Sequence, residues 1–141
     1  PAATITGIDI DPMCATLVFE SARVNVLIGD VKTVNLPARE WDIIIDDGSH
    51  FPADVTATFA RLWPRVKPGG WYVIEDYEVH WLPAFSSDSS AIAMADECLH
   101  AVLRGSDGPI ESLHMKRLPH EAPFVSEMHA YEQLLFLRKP L

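Results

Sequence analysis

The sequence predicts an α/β fold, a doubly wound and mostly parallel sheet built as one domain over residues 1–141. Three observations carry this expectation. Short β-branched runs alternate with segments of helical spacing along the first hundred residues. Several of the runs end in acidic residues, at the strand ends where such sheets bind ligands. A length of 141 residues suits one domain, and a hydrophobic fraction of 48% is enough for a core.

The elements follow in order. Residues 4–10, TITGIDI, read as a strand through Ile5, Ile8 and Ile10. Asp11 and Pro12 then form a helix start, as cap and first helical residue, for a helix reaching about Ala22. RVNVLIGD is a second strand ending at Gly29-Asp30, followed by loop over 31–40. WDIIID (41–46) is a third, and its unbroken apolar run predicts burial on both faces. Pro52 suits a helix first turn, and Val55, Phe59 and Leu62 recur at helical spacing until Pro64 and KPGG end the segment. WYVIED (71–76) is a fourth strand, and a long irregular stretch over 77–90 follows it. Residues 90–104 predict a helix with Ile92, Ala95, Leu99, Val102 and Leu103 on one side, stopped by Gly105 and Gly108-Pro109. The tail holds a candidate strand in IESLHMKRL. VSEMHAYEQLLFLRK then reads as two strands separated by a tight turn or a bulge near Tyr131.

Composition narrows the function. A net charge of −9 argues against a nucleic-acid backbone as partner and suits a cation. No apolar run approaches the roughly 20 residues of a membrane helix, and no signal peptide or lipidation motif is read. Cys14 and Cys98 stand apart without metal-ligand spacing, as reduced thiols do. The expectation is a cytoplasmic protein acting on a small molecule, with no nucleic-acid or membrane partner.

The strand-end acids divide by role. Asp9 falls where a doubly wound fold places an acceptor for ribose hydroxyls. Asp30 could accept from an adenine amino group or could equally be a turn residue after Gly29. Asp47, Glu75 and Asp76 are hard oxygen donors. Neighbouring parallel strands lie about 4.8 Å apart, so the ends of strands 41–46 and 71–76 can converge on one ion. Such a set repels itself without a counter-charge and selects magnesium, manganese or calcium over zinc. His50 stands three residues after Asp47, and a neutral imidazole there can act as general base.

GIDIDP, IGD, WDIIIDDGSH, VKPGGWYVIEDYE and EMHAYEQLLFLRK together resemble the class I S-adenosylmethionine-dependent methyltransferases. DDGSH followed by ED narrows the resemblance to metal-dependent sugar O-methyltransferases of the mycinamicin type. The resemblance implies a Rossmann-like sheet with an antiparallel C-terminal strand, S-adenosylmethionine and Mg2+ (or Mn2+) as cofactors, and a small acceptor with vicinal hydroxyls. It assigns Asp47, Glu75 and Asp76 to the metal and His50 to the base. Asp9 and Asp30 go to ribose and adenine, and Asp46 to the methionine end of the cofactor. Tyr77 and Trp81, in the long stretch after ED, are flat apolar groups suited to an acceptor sugar face.

The family's first strand, helix and glycine-rich turn are expected before residue 1. The absent strand belongs between strands 4–10 and 41–46. It is expected from upstream sequence or from another chain, as in a homo-oligomer, unless the two flanking strands pair directly. The rival reading is a catalytically inactive fragment serving as a binding or assembly module.

Overall fold

The computed structural model describes residues 3–86, 88–104 and 125–141. It divides into two compact units, Pro1–Ala38 and Arg39–Leu141.

The first unit is a parallel pair, β1 (Ile5–Asp9) with β2 (Val24–Ile28), in register from Ile5↔Val24 to Asp9↔Ile28. The helix expected between them is only a 3-10 turn, Pro12–Thr16. The start is as expected: the Asp11 carboxylate accepts from the Met13 N–H at 2.8 Å, and Pro12 follows it. The turn ends because Leu17 is extended. Thr16, Val18 and Phe19 are β-branched or aromatic and lose rotamers in a helix, so nothing favours continuing it.

The second unit is a four-stranded sheet in the order β3 (Trp41–Asp46), β4 (Val66–Ile74), β6 (Leu135–Arg138), β5 (Glu127–Ala130). β3 and β4 run parallel, whereas β6 is antiparallel to both β4 and β5. The two C-terminal strands flank a turn in which the Tyr131 N–H donates to the Leu134 carbonyl, as expected. β4 begins five residues earlier than expected and carries KPGG inside it. The pairing shifts register between Trp41 and Ile43 to absorb the extra residues. Gly70 permits this, because a Cβ there would lie 2.7 Å from the Asp42 carbonyl oxygen.

α1 (Pro52–Leu62) buries Val55, Phe59 and Leu62, the side its spacing assigned. It meets α2 (Ser90–Arg104) over one sheet face, where Tyr72 and Ile74 of β4 align with Leu137 and Leu135 of β6. Phe59 packs edge-on against Tyr72, with ring centroids 5.1 Å apart. α2 has the expected bounds but a different inner side. Ala91, Met94, Ala95, Cys98 and Ala101 are buried, while Leu99 and Leu103 are exposed. Small residues let α2 approach the sheet closely, so the larger leucines face away. Burial pushes the Cys98 thiol up to about 12, which makes it inert.

β3 departs from expectation. Ile43 is 57% and Ile45 60% exposed, so its second face is not covered. Among the described residues both helices of this unit lie over the other face, and β3 is the edge strand. The candidate strand over 110–118 and the stop at Gly105 to Pro109 lie outside the described residues. Among the described residues no helix is long and apolar enough to cross a membrane.

Candidate active site

The carboxyl ends of β3 and β4 are adjacent, with Asp46 paired to Ile74 and the Glu75 N–H donating to the Asp46 carbonyl at 2.9 Å. The two acidic pairs therefore meet. The Asp46 carboxylate is buried and accepts from the Tyr72 hydroxyl at 2.8 Å. Burial raises its pKa, opposed by the Tyr72 hydrogen bond. The same environment raises the Tyr72 hydroxyl, by burial first and by the Asp46 charge second. Gly48 leaves room for this carboxylate, since a Cβ there would lie 3.1 Å from Asp46 Oδ1. Asp46 thus ties β3 to β4 and fixes the start of the loop that carries Asp47 and His50. The Ser49 hydroxyl anchors the loop's far side by donating to Asp54 of α1 at 2.6 Å.

Beyond this anchor Asp47, His50 and Asp76 converge. The Nε2 atom of His50 lies 3.7 Å from Asp47 Oδ1 and 3.7 Å from Asp76 Oδ2. One donor atom from each of the three residues falls within 4.8 Å of the others. Both acids are largely solvent-facing, whereas His50 is half-buried. Among the described residues His50 (φ 57°) and Asp76 (φ 51°) are the non-glycine residues with positive φ. That conformation costs about 1–3 kcal/mol each and collects at functional sites. Glu75 follows β4 directly and lies outside the three-residue group.

Asp76 also starts the 3-10 turn Tyr77–Trp81. The Tyr77 N–H donates to the Gln133 carbonyl, so the turn leans on the β5–β6 hairpin at the same end of the sheet. Tyr77 and Trp81 contact each other at 5.7 Å and line a recess of about 450 Å³ between this turn, α2 and the hairpin. That volume is in the range of small-molecule sites. His80 anchors the turn, buried against Tyr77 at 4.9 Å, and burial lowers its pKa.

In the first unit Asp9 and Asp30 both lie at the carboxyl end of the β1–β2 pair. Each already serves a local turn: Asp9 Oδ1 accepts from the Asp11 N–H and Asp30 Oδ1 from the Lys32 N–H, both at 2.8 Å.

Sequence reasoning missed Tyr72 and His80 as supports of the site. Tyr72 stands on the buried side of a strand, where a phenol needs a hydrogen-bond partner. The strand-end Asp46 was the available signal for that pair. Nothing in the local pattern marks His80 as buried.

No protein-family model matches the chain. The chain is 32% identical over 149 residues to demethylmacrocin O-methyltransferase of Streptomyces fradiae, covering 96% of the chain and 36% of that protein. It is 31% identical over 150 residues to mycinamicin VI 2''-O-methyltransferase of Micromonospora griseorubida, covering 99% of the chain and 37% of that protein. The chain thus spans little more than a third of the length of these relatives. Its fold superimposes with a TM-score of 0.67 and 27% identity on the MycE methyltransferase, solved with Mg and SAH, over 97% of the chain and 36% of that structure. The chain is a homologue of the class I S-adenosylmethionine-dependent O-methyltransferases and resembles those of the mycinamicin type.

Proposed function

We propose that the chain forms the metal and acceptor end of a magnesium-dependent O-methyltransferase acting on a hydroxyl of a sugar or other vicinal diol. The observation that carries this reading is the convergence of Asp47, His50 and Asp76 within 4.8 Å on two strained residues. The donor chemistry fits the group: carboxylate oxygens at adjoining strand ends suit a hard divalent ion. Asp47 and Asp76 would hold it, with Glu75 completing the set. When bound, the ion makes an acceptor hydroxyl more acidic and S-adenosylmethionine supplies the methyl group.

The chain's own residues do the rest. His50, held half-buried by the loop that Asp46 and Ser49 anchor, takes the acceptor proton on its imidazole. Tyr77 and Trp81 orient the acceptor and keep water from the reacting oxygen. Asp9 accepts from the cofactor's ribose hydroxyls and Asp30 from its adenine amino group. Asp46 stands near the methionine end, although its carboxylate is engaged by Tyr72. The open edge of β3 seats a further strand, from sequence outside residues 1–141 or from another chain, and the terminal place of β3 in its sheet supports this reading.

The test is methyl transfer to a vicinal-diol glycoside, measured with magnesium and with EDTA. Chelation is expected to abolish turnover and added magnesium to restore it. Full turnover in EDTA would end the metal reading.

A further inference from the structure

We propose that Phe51 and Phe85 are positioning residues that act together through His50 and Asp76, fixing the two strained backbones on which the site converges. This deepens the reading above and rests on His50 as base and Asp76 as metal ligand. The two rings lie 5.1 Å apart between centroids and are tilted by 43°, a spacing at which aromatic rings attract each other. Neither ring is placed by the needs of its own element. Phe51 is the cap residue of α1, where an oxygen-bearing side chain is favoured, and it makes no side-chain cap bond. It is 54% exposed, so it is not a core residue either. Phe85 stands in the turn beyond Trp81 and is half-buried.

Each ring is tied to one strained residue. Phe51 follows His50 (φ 57°) directly, and its carbonyl accepts from the N–H groups of Asp54 and Val55 at 2.9 and 3.0 Å, which fastens it to the first turn of α1. Phe85 is tied to Asp76 (φ 51°) by a relay of backbone hydrogen bonds in three-residue steps. The Val79 N–H donates to the Asp76 carbonyl at 3.1 Å, the Leu82 N–H to Val79 at 2.9 Å and the Phe85 N–H to Leu82 at 2.9 Å. The contacts close a ring. It runs from Asp76 along the relay to Phe85, across the aromatic pair to Phe51, and through His50 back to Asp76, whose Oδ2 lies 3.7 Å from the imidazole.

A positive φ in a non-glycine residue persists only where the surroundings over-determine it. Asp46 and Ser49 hold the chain before His50, and the Glu75 N–H holds it before Asp76. The aromatic pair adds a constraint after both. Without it, His50 and Asp76 would relax towards the ordinary extended or helical regions, and the imidazole and the carboxylates would separate. Both rings are partly exposed, so shortening one leaves the core of the unit intact.

The test uses the full chain with Phe51→Leu, Phe85→Leu, the two combined, and Phe85→Tyr. NMR of the metal-free protein follows the cross-relaxation between the N–H and Hα protons of His50 and of Asp76, which is strong at positive φ because the two protons lie close. Each leucine variant is expected to weaken this signal about twofold at both residues. The double variant should go no further than the stronger single one, as for one interaction removed twice, and Phe85→Tyr should keep the wild-type signal. Mn2+ affinity, read by electron paramagnetic resonance, should fall about tenfold in each leucine variant, as for groups that orient metal ligands, and recover in Phe85→Tyr. A ring pair that served packing alone would lower the urea midpoint and leave signal and affinity untouched. Unchanged signals, additive losses in the double variant, or undiminished Mn2+ affinity in both leucine variants would overturn the proposal. A wild-type chain that binds no Mn2+, with the signal still lost in the variants, faults the function reading alone. Unchanged signals with Mn2+ bound by the wild-type chain fault this inference alone.

Discussion

His50 is placed by two constraints, a positive φ and a half-buried ring 3.7 Å from two carboxylates. At that distance neither contact is a hydrogen bond, so the imidazole retains capacity for a substrate proton. His50→Ala should slow transfer roughly 10²–10⁴-fold, the usual worth of a general base. Metal affinity should change little. An unchanged rate at saturating acceptor, with chemistry limiting, would remove His50 from the mechanism. His80 carries a different prediction. Burial holds its pKa below 6.5; His50 adds to the shift, and Asp88 and Glu78 oppose it. A base depressed in the folded state stabilises the fold above its unfolded pKa, and that contribution is lost as pH falls through the folded value. Unfolding free energy should therefore drop as pH falls below about 6.5, and His80→Gln should flatten the drop. Identical urea-denaturation profiles against pH for both proteins would contradict the assignment.

At the scale of elements, periodicity revealed α1 because Val55, Phe59 and Leu62 are large and unambiguous. The same reasoning chose the wrong side of α2, where alanines and a cysteine, not leucines, meet the sheet. Size matching at a helix–sheet contact is a tertiary property that no local pattern records. The acids at the ends of β3 and β4 were legible because a parallel pair brings its carboxyl ends together whatever the loops do. The anchoring of Asp46 by Tyr72, across 26 positions of sequence, was not. β3 reads as a buried strand, yet it is an edge with an uncovered face. Exposed apolar edges invite pairing with another chain. Residues 1–141 alone are accordingly expected to self-associate, measured as mass in solution by light scattering. A monodisperse monomer at high concentration would refute the assignment of a further strand to this edge.

At the scale of the molecule, the two units hold different parts of the proposed chemistry. Residues Pro1–Ala38 carry Asp9 and Asp30, and Arg39–Leu141 carries the acidic cluster and the recess. The mixed α/β class was readable, and so was the meeting of acids at the ends of β3 and β4. The division into two units was not, since strand–helix alternation runs through residue 38 without a break. The acidic balance of the whole chain, −9, is consistent with a protein that holds cations at its functional end. The central claim, one divalent ion at Asp47 and Asp76 with Glu75, is tested most directly by titrating Mn2+ into the protein and following the free ion by electron paramagnetic resonance. One bound ion per chain is expected, with affinity reduced at least tenfold, about 1.4 kcal/mol, in both Asp47→Asn and Asp76→Asn. Retention of the ion with unchanged affinity in both folded variants would contradict it.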